Sequence, residues 1–267
     1  MEPHPSAVVT GAARGIGRSI AELMVRRGYH VVITDLNEDA VGRTADEIGA
    51  VAGLAQDVGD EASHRVVAEE ALEHGRLAVW FNNAGVGHDG SLTDLSSAQV
   101  ANLVEVNLLG TIWGMRAALA AFGGEGGEGG DIVNIASLSG HGPVPGLSVY
   151  AATKAAVVSL TGSVNAETPR DVRVHAVCPD GVDTDMVAAM NPDGLAKMMN
   201  HSGGGLLTVD SVAAEAVALL GTSRVVRSLP GWRGGLVRAS AFAPSVSVRA
   251  LPVIRWMGRR GIRRQEG

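Results

Sequence analysis

The chain has 267 residues, 46% of them hydrophobic, and a formal net charge of −6. That length and apolar content suit one well-buried α/β core, and the acidic balance gives no global reason to expect a nucleic-acid partner. A single cysteine, Cys178, excludes an internal disulfide and points to a reducing, cytoplasmic setting; Cys178 itself reads as a small buried hydrophobe in a strand.

Along the chain, the opening Met1-Glu2-Pro3-His4-Pro5 lacks a basic, then apolar leader, and no apolar run is long enough to span a bilayer, so neither a signal peptide nor a membrane span is expected. Short apolar runs then alternate with helical spacings. Strands are predicted at 7–10, 30–34, 51–56, 78–82, 131–136, 172–178 and 224–229, and helices over 15–27, 37–48, 61–74, 100–122, 149–168 and 210–220. This β-α-β-α rhythm implies a parallel sheet with helices on both faces, a three-layer α/β/α arrangement. The glycine tract 123–130 reads as a mobile surface loop. From 231 to 267 eight arginines face one acid, Glu266, and are interleaved with Trp232, Phe242, Leu251, Ile254, Trp256 and Met257. This basic C-terminal extension is expected to be helical and docked on its own or a neighbouring subunit. Membrane-surface attachment is the alternative.

The first strand runs into Thr10-Gly11-Ala12-Ala13-Arg14-Gly15-Ile16-Gly17. Glycines at these places permit a tight turn, close approach of backbone to a pyrophosphate and close helix–strand packing. The helix that follows aims its N-terminal amides at phosphate. A strand before the turn and a helix after it are the context a dinucleotide-binding turn requires. Asp35 ends the second strand, where a carboxylate accepts from the adenosine ribose hydroxyls and repels a 2′-phosphate. Leu36 beside it offers no compensating cation, so charge favours NAD over NADP. Arg14 can touch a phosphate, and Asp35 can alternatively serve as a turn residue before the helix at Asn37.

Tyr150 and Lys154 lie one turn apart on a predicted helix and so share a face. A free phenol is a poor base at neutral pH; a nearby ammonium should lower its pKa, making a general acid/base for a hydroxyl or carbonyl oxygen. Ser137 follows the fifth strand, at the carboxyl edge where such sheets bind ligands, and its hydroxyl can hold the substrate oxygen. Ser137 and Ser139 can also be read as turn residues.

In order and spacing, Thr10-Gly11-x-x-x-Gly15-x-Gly17, Asn82-Asn83-Ala84-Gly85, Asn107, Ser137 and Tyr150-x-x-x-Lys154 resemble the short-chain dehydrogenase/reductase family, over about residues 6 to 190. The resemblance implies a single Rossmann-like, doubly wound domain with a seven-stranded sheet, assembled as a homodimer or homotetramer. It implies that Tyr150 transfers the proton and that Lys154 binds the nicotinamide ribose and tunes Tyr150. Ser137 would position the substrate oxygen, and Asn107 would hold a water in a proton relay through Lys154. Asn83, Ala84 and Gly85 would run along the adenine-ribose side, and Asp57-Val58 would contact adenine. Gly11, Arg14, Gly15, Ile16 and Gly17 would surround the pyrophosphate, with Asp35 and Leu36 at the ribose.

The family's Pro-Gly-x-Val-x-Thr segment over the nicotinamide reads Pro179-Asp180-Gly181-Val182-Asp183-Thr184, with Asp180 in the glycine position. Pro179, Val182 and Thr184 match, and Thr184 is expected to meet the carboxamide. Asp180 is expected to strain the loop if the backbone needs φ > 0. Asp180, Asp183 and Asp185 should crowd together and disfavour an anionic substrate. Residues 1–230 are then expected to form the catalytic domain, with a lid over about 185–207. That lid carries Met186, Met190, Leu195, Met198 and Met199, hinges at Gly203-Gly204-Gly205, and suits a largely apolar secondary alcohol or ketone. No metal is expected. The alternative function is a non-catalytic NAD-binding regulator, against which the Ser137-Tyr150-Lys154-Asn107 set argues.

Overall fold

The Val- and Ile-rich runs pair edge to edge as seven parallel strands in a computed structural model that describes residues 4–123, 128–203, 205–242 and 251–265. They are β1 (Ser6–Thr10), β2 (His30–Asp35), β3 (Ala52–Ala55), β4 (Leu77–Asn82), β5 (Gly130–Ile135), β6 (Val172–Pro179) and β7 (Val226–Leu229), in the order β3-β2-β1-β4-β5-β6-β7. The helices are α1 (Gly15–Arg26), α2 (Glu38–Ile48), α3 (Glu61–Glu73), α4 (Ser97–Val104), α5 (Gly110–Phe122), α6 (Ser148–Glu167), α7 (Asp185–Ala188), α8 (Leu195–His201), α9 (Val209–Val217) and α10 (Gly231–Ala241), followed by a C-terminal helix, Leu251–Gln265.

Alternate strand residues face opposite layers. Val9, Ile33, Phe81 and Val133 pack with Ile20 and Met24 of α1 and Val212 of α9. Val8, Val32, Trp80 and Ile132 pack with Val67 of α3 and Met115 of α5. Helices cover both faces, so the central strands carry apolar residues on both faces instead of strictly alternating, with Asn82, Asp131, Asn134 and His175 buried among them. Val9 lies in register between Ile33 and Phe81. Strand order reverses on either side of β1, and this opens a crevice at the carboxyl ends of β1 and β4. The fold is the expected Rossmann-like α/β/α sandwich.

Two departures bear on the site. The helix predicted over 100–122 starts earlier and is broken. Ser96 and Gln99 form a capping box at the start of α4, and a π turn, Glu105–Leu109, separates α4 from α5. The basic extension forms α10 and the C-terminal helix, and the latter lies directly on α8. A Cβ on Gly258 would collide with the Met198 carbonyl, and one on Gly261 with that of His201. Residues 124–127 of the glycine tract, and Gly204 of the expected hinge, fall outside the described residues. Among the described residues no helix is long and apolar enough to cross a membrane.

Candidate active site

After β1 the chain turns through Gly11 at φ +63 and Gly15 at φ +58, a region that costs other residues about 1–2 kcal/mol. A Cβ on Gly11 would lie 2.7 Å from the Ala84 Cα, whereas one on Gly15 would meet no atom within 4 Å. Gly15 therefore leaves bare backbone at the cavity wall, where α1 begins. Arg14 precedes α1 in extended conformation and provides no side-chain cap, so the first amides of α1 remain available. These features fit a dinucleotide pyrophosphate.

The turn is braced from β4. The Thr10 hydroxyl oxygen accepts the Asn83 and Ala84 amides at 3.0 and 3.1 Å, and Asn83 Nδ2 donates to the Thr10 and Gly11 carbonyls at 2.9 and 2.8 Å. Asp35 Oδ2 accepts the Ala13 amide at 3.1 Å, which pulls the ribose-side carboxylate against the same turn. Leu36 is 76% exposed.

A cavity of about 650 Å³ gathers nearly every predicted residue. Gly11, Arg14, Gly15 and Ile16 border it from the turn; Asp35, Leu36, Asp57 and Val58 from the ends of β2 and β3; Asn83, Ala84 and Gly85 from the end of β4. Ser137, Tyr150 and Lys154 border it from β5 and α6, and Pro179, Val182 and Thr184 from the loop after β6. Two predicted residues stand behind the wall. Gly17 packs on the Gly11 carbonyl and the Asn83 amide. Asn107, fully buried in the π turn, accepts the Val86 amide and donates to the Val86 carbonyl, both at 2.9 Å.

α6 brings the Lys154 ammonium to 5.8 Å from the centre of the Tyr150 ring. Burial pushes the phenol up to about 12, with the neighbouring Ser137 hydroxyl opposing the rise, and burial pushes the ammonium down to about 8. The expectation that Lys154 lowers the Tyr150 pKa is therefore not met in the free chain. Desolvation wins, and the ammonium donates to the Ile135 carbonyl at 2.9 Å. The phenol is protonated at neutral pH and so is a proton donor. Ser137 caps a short turn, Leu138–His141, by accepting the Ser139 amide at 3.1 Å.

The acids expected around Asp180 gather at the cavity, since Asp180, Asp183 and Asp185 all border it, but two of them are paired. Asp180 pairs with Arg233 of α10 at 3.0 Å, and Asp185 pairs with Arg14. No described non-glycine residue has positive φ, so Asp180 fits its loop without that strain. Burial raises its carboxyl above the usual range, and Arg233 opposes the rise. Of the expected methionines, Met186 and Met190 border the cavity, whereas Met198 is buried. Sequence reasoning missed Gln56, Asn102, Val106, Leu147 and Asn200, which also border it. The one-turn spacing of Asn102 and Val106 was the available signal for those two.

The family model described as short chain dehydrogenase matches residues 5–195. The sorbitol dehydrogenase of Cereibacter sphaeroides is 40% identical over 183 residues, covering 67% of this chain and 70% of that protein. The 3-oxoacyl-(acyl-carrier-protein) reductase of Salmonella typhimurium is 33% identical over 217 residues, covering 80% of this chain and 88% of its own length. A crystal structure of a short chain dehydrogenase/reductase from Burkholderia phymatum in complex with NAD aligns with a TM-score of 0.79 at 29% identity, covering 92% of this chain and 96% of that one. With fold and sequence in agreement, the class is that of the Rossmann-like oxidoreductases. Within it, the chain belongs to the short-chain dehydrogenase/reductase family.

Proposed function

We propose that the chain is an NAD-dependent alcohol dehydrogenase or ketone reductase acting on a largely apolar, uncharged secondary alcohol or the matching ketone. The observation that carries this reading is that the glycine turn, Asp35 and the Ser137-Tyr150-Lys154 group border one cavity. Bound there, a nicotinamide dinucleotide supplies or accepts the hydride. The α1 amides hold its phosphates, and Asp35 takes the ribose hydroxyls while repelling a 2′-phosphate. The NAD in the Burkholderia relative is consistent with that preference.

Ser137 hydrogen-bonds the substrate oxygen, and Tyr150 gives that oxygen a proton in reduction and takes it back in oxidation. Lys154 holds the nicotinamide ribose and favours the phenolate once it turns from the Ile135 carbonyl. Thr184 meets the carboxamide, and Asn107 fixes the strand end beside Gly85 and carries the relay water. Val106, Leu147, Met186 and Met190 supply apolar wall, and Asn102 and Asn200 supply uncharged donors and acceptors. Among the described residues the cations on the wall are Lys154 and Arg14, and Arg14 is paired with Asp185. With Lys154 taken up by the nicotinamide ribose and Arg14 by Asp185, an anionic substrate gains no free counter-ion. The protein works as a cytoplasmic homodimer or homotetramer.

The test follows NADH absorbance across steroid, aliphatic and polyol substrates, with NADPH in parallel. Tyr150→Phe should lower kcat about 1,000-fold while NADH binding is kept. Unchanged turnover overturns the role of Tyr150, and activity confined to sugars or polyols overturns the apolar substrate.

A further inference from the structure

We propose that Arg233 is a positioning residue for the substrate, a single guanidinium that ties α10 to two walls of the cavity. The inference rests on the function proposed above and assigns substrate selection to a residue outside the cavity. Arg233 does not border the cavity, but what it holds does. Its Nε pairs with Asp180 at 3.0 Å. Its Nη2 donates to the Met199 carbonyl at 2.9 Å and to the Ser202 hydroxyl at 2.7 Å. Met199 and Ser202 bracket Asn200, and Asn200 and Asp180 both border the cavity.

The surroundings are fitted to this clasp. Gly203 has no side chain where the guanidinium passes, and a Cβ there would overlap it. Gly181 lies so close to Asn200 that a Cβ would come within 2.9 Å of the Asn200 Cβ, so the two segments interlock. Asn200 Nδ2 in turn lies 3.2 Å from the Met190 sulfur. The C-terminal helix holds α8 at Met198 and His201 through Gly258 and Gly261, and Arg233 holds the end of the same helix. The pair is nearly enclosed, with side chains 12% and 13% exposed, so removing one partner leaves a buried charge. In the family's pattern a glycine stands at the position of Asp180, and a glycine cannot make this bond. The family match ends at residue 195, so the segment beyond it reaches back to shape the substrate end.

The test uses the full chain with its best substrate from the panel. Arg233→Ala should raise the substrate KM about tenfold while the NADH dissociation constant, read by fluorescence, changes less than about twofold. Arg233→Lys, which cannot fork to three acceptors, should fall between. Asp180→Asn should act like Arg233→Ala, and the double variant Asp180→Asn/Arg233→Met should recover part of the loss because no buried charge is stranded. A substrate KM within about twofold of wild type in Arg233→Ala, or an NADH constant that weakens in parallel, overturns the proposal. If Arg233→Ala does not fold, Arg233→Lys and Asp180→Asn decide by the same readouts. If the wild-type chain turns over no substrate, the dehydrogenase reading fails, and hydrogen exchange then judges the clasp. Protection should drop about tenfold at 199–203 and stay unchanged at 11–17 in Arg233→Lys; equal protection overturns it.

Discussion

The two ends of the cavity are built from different materials. At the Gly11–Gly17 turn the wall is backbone, fixed by two left-handed glycines and by Thr10 and Asn83 bonding to main-chain groups. At the Asp180–Asn200 end the wall is side chain, held by the loop after β6, α8 and α10 through a buried ion pair and a capped carbonyl. A backbone-built end tolerates almost no change of residue but serves one invariant ligand shape. A side-chain-built end can be refitted by substituting distant partners. One cavity can thus keep its cofactor chemistry while its substrate changes.

The sharpest way to break this contrast is at Gly17. A Cβ there would press on the Gly11 carbonyl and the Asn83 amide, so Gly17→Ala should weaken NADH about 100-fold by fluorescence titration. At Gly15 a Cβ meets nothing, and Gly15→Ala should cost only about 1 kcal/mol of stability. If the two variants bind NADH alike, the braced-turn account fails.

A second test lies away from both ends. Burial pushes the Asp131 carboxyl up, but Arg173, His175 and the Gly221 amide outweigh it and hold the group down to about 2. Its contribution of about 2 kcal/mol is present above the unfolded carboxyl pKa near 3.9 and is lost as pH falls from there towards 2. Urea unfolding of wild type should weaken between pH 5 and 3 more steeply than that of Asp131→Asn. Both ends of the cavity should fail together, since Asp131 joins β5 to β6 and not to either wall. Equal slopes would show that this network does not stabilise the sheet.

The smallest expected effect sharpens the contrast within the cofactor end. Asp35→Ser with Leu36→Arg changes charge without touching the glycine backbone, and it should move preference from NADH towards NADPH about tenfold in kcat/KM. No movement would remove Asp35 as the selector.

The sheet was legible because β1, β2, β4, β5 and β6 are buried on both faces and so read as short, mainly apolar runs with only a few polar interruptions. The glycine turn and Ser137 were legible because each directly follows a strand, and Tyr150 and Lys154 because they lie one turn apart on the same helix. The π turn was not, since its buried Asn107 bonds Val86, a partner 21 residues away that no local spacing reveals. Arg233 was visible only as one charge in a basic tail. Its pairing with Asp180 spans α7, α8, α9 and β7, and no local pattern carries it. The same distance hid the fact that two of the three cavity aspartates have arginine partners elsewhere in the chain.

The brace between Thr10 and Asn83 joins residues 73 apart in the chain. Closing so long a loop is an entropic step that must come before any reward from the contacts it brings together. A nascent polypeptide cannot own the crevice until β4 has emerged and slotted beside β1. Any ligand of that crevice then acts as a selective trap for molecules past that step, drawing them out of the pool still exposed to proteases and chaperones.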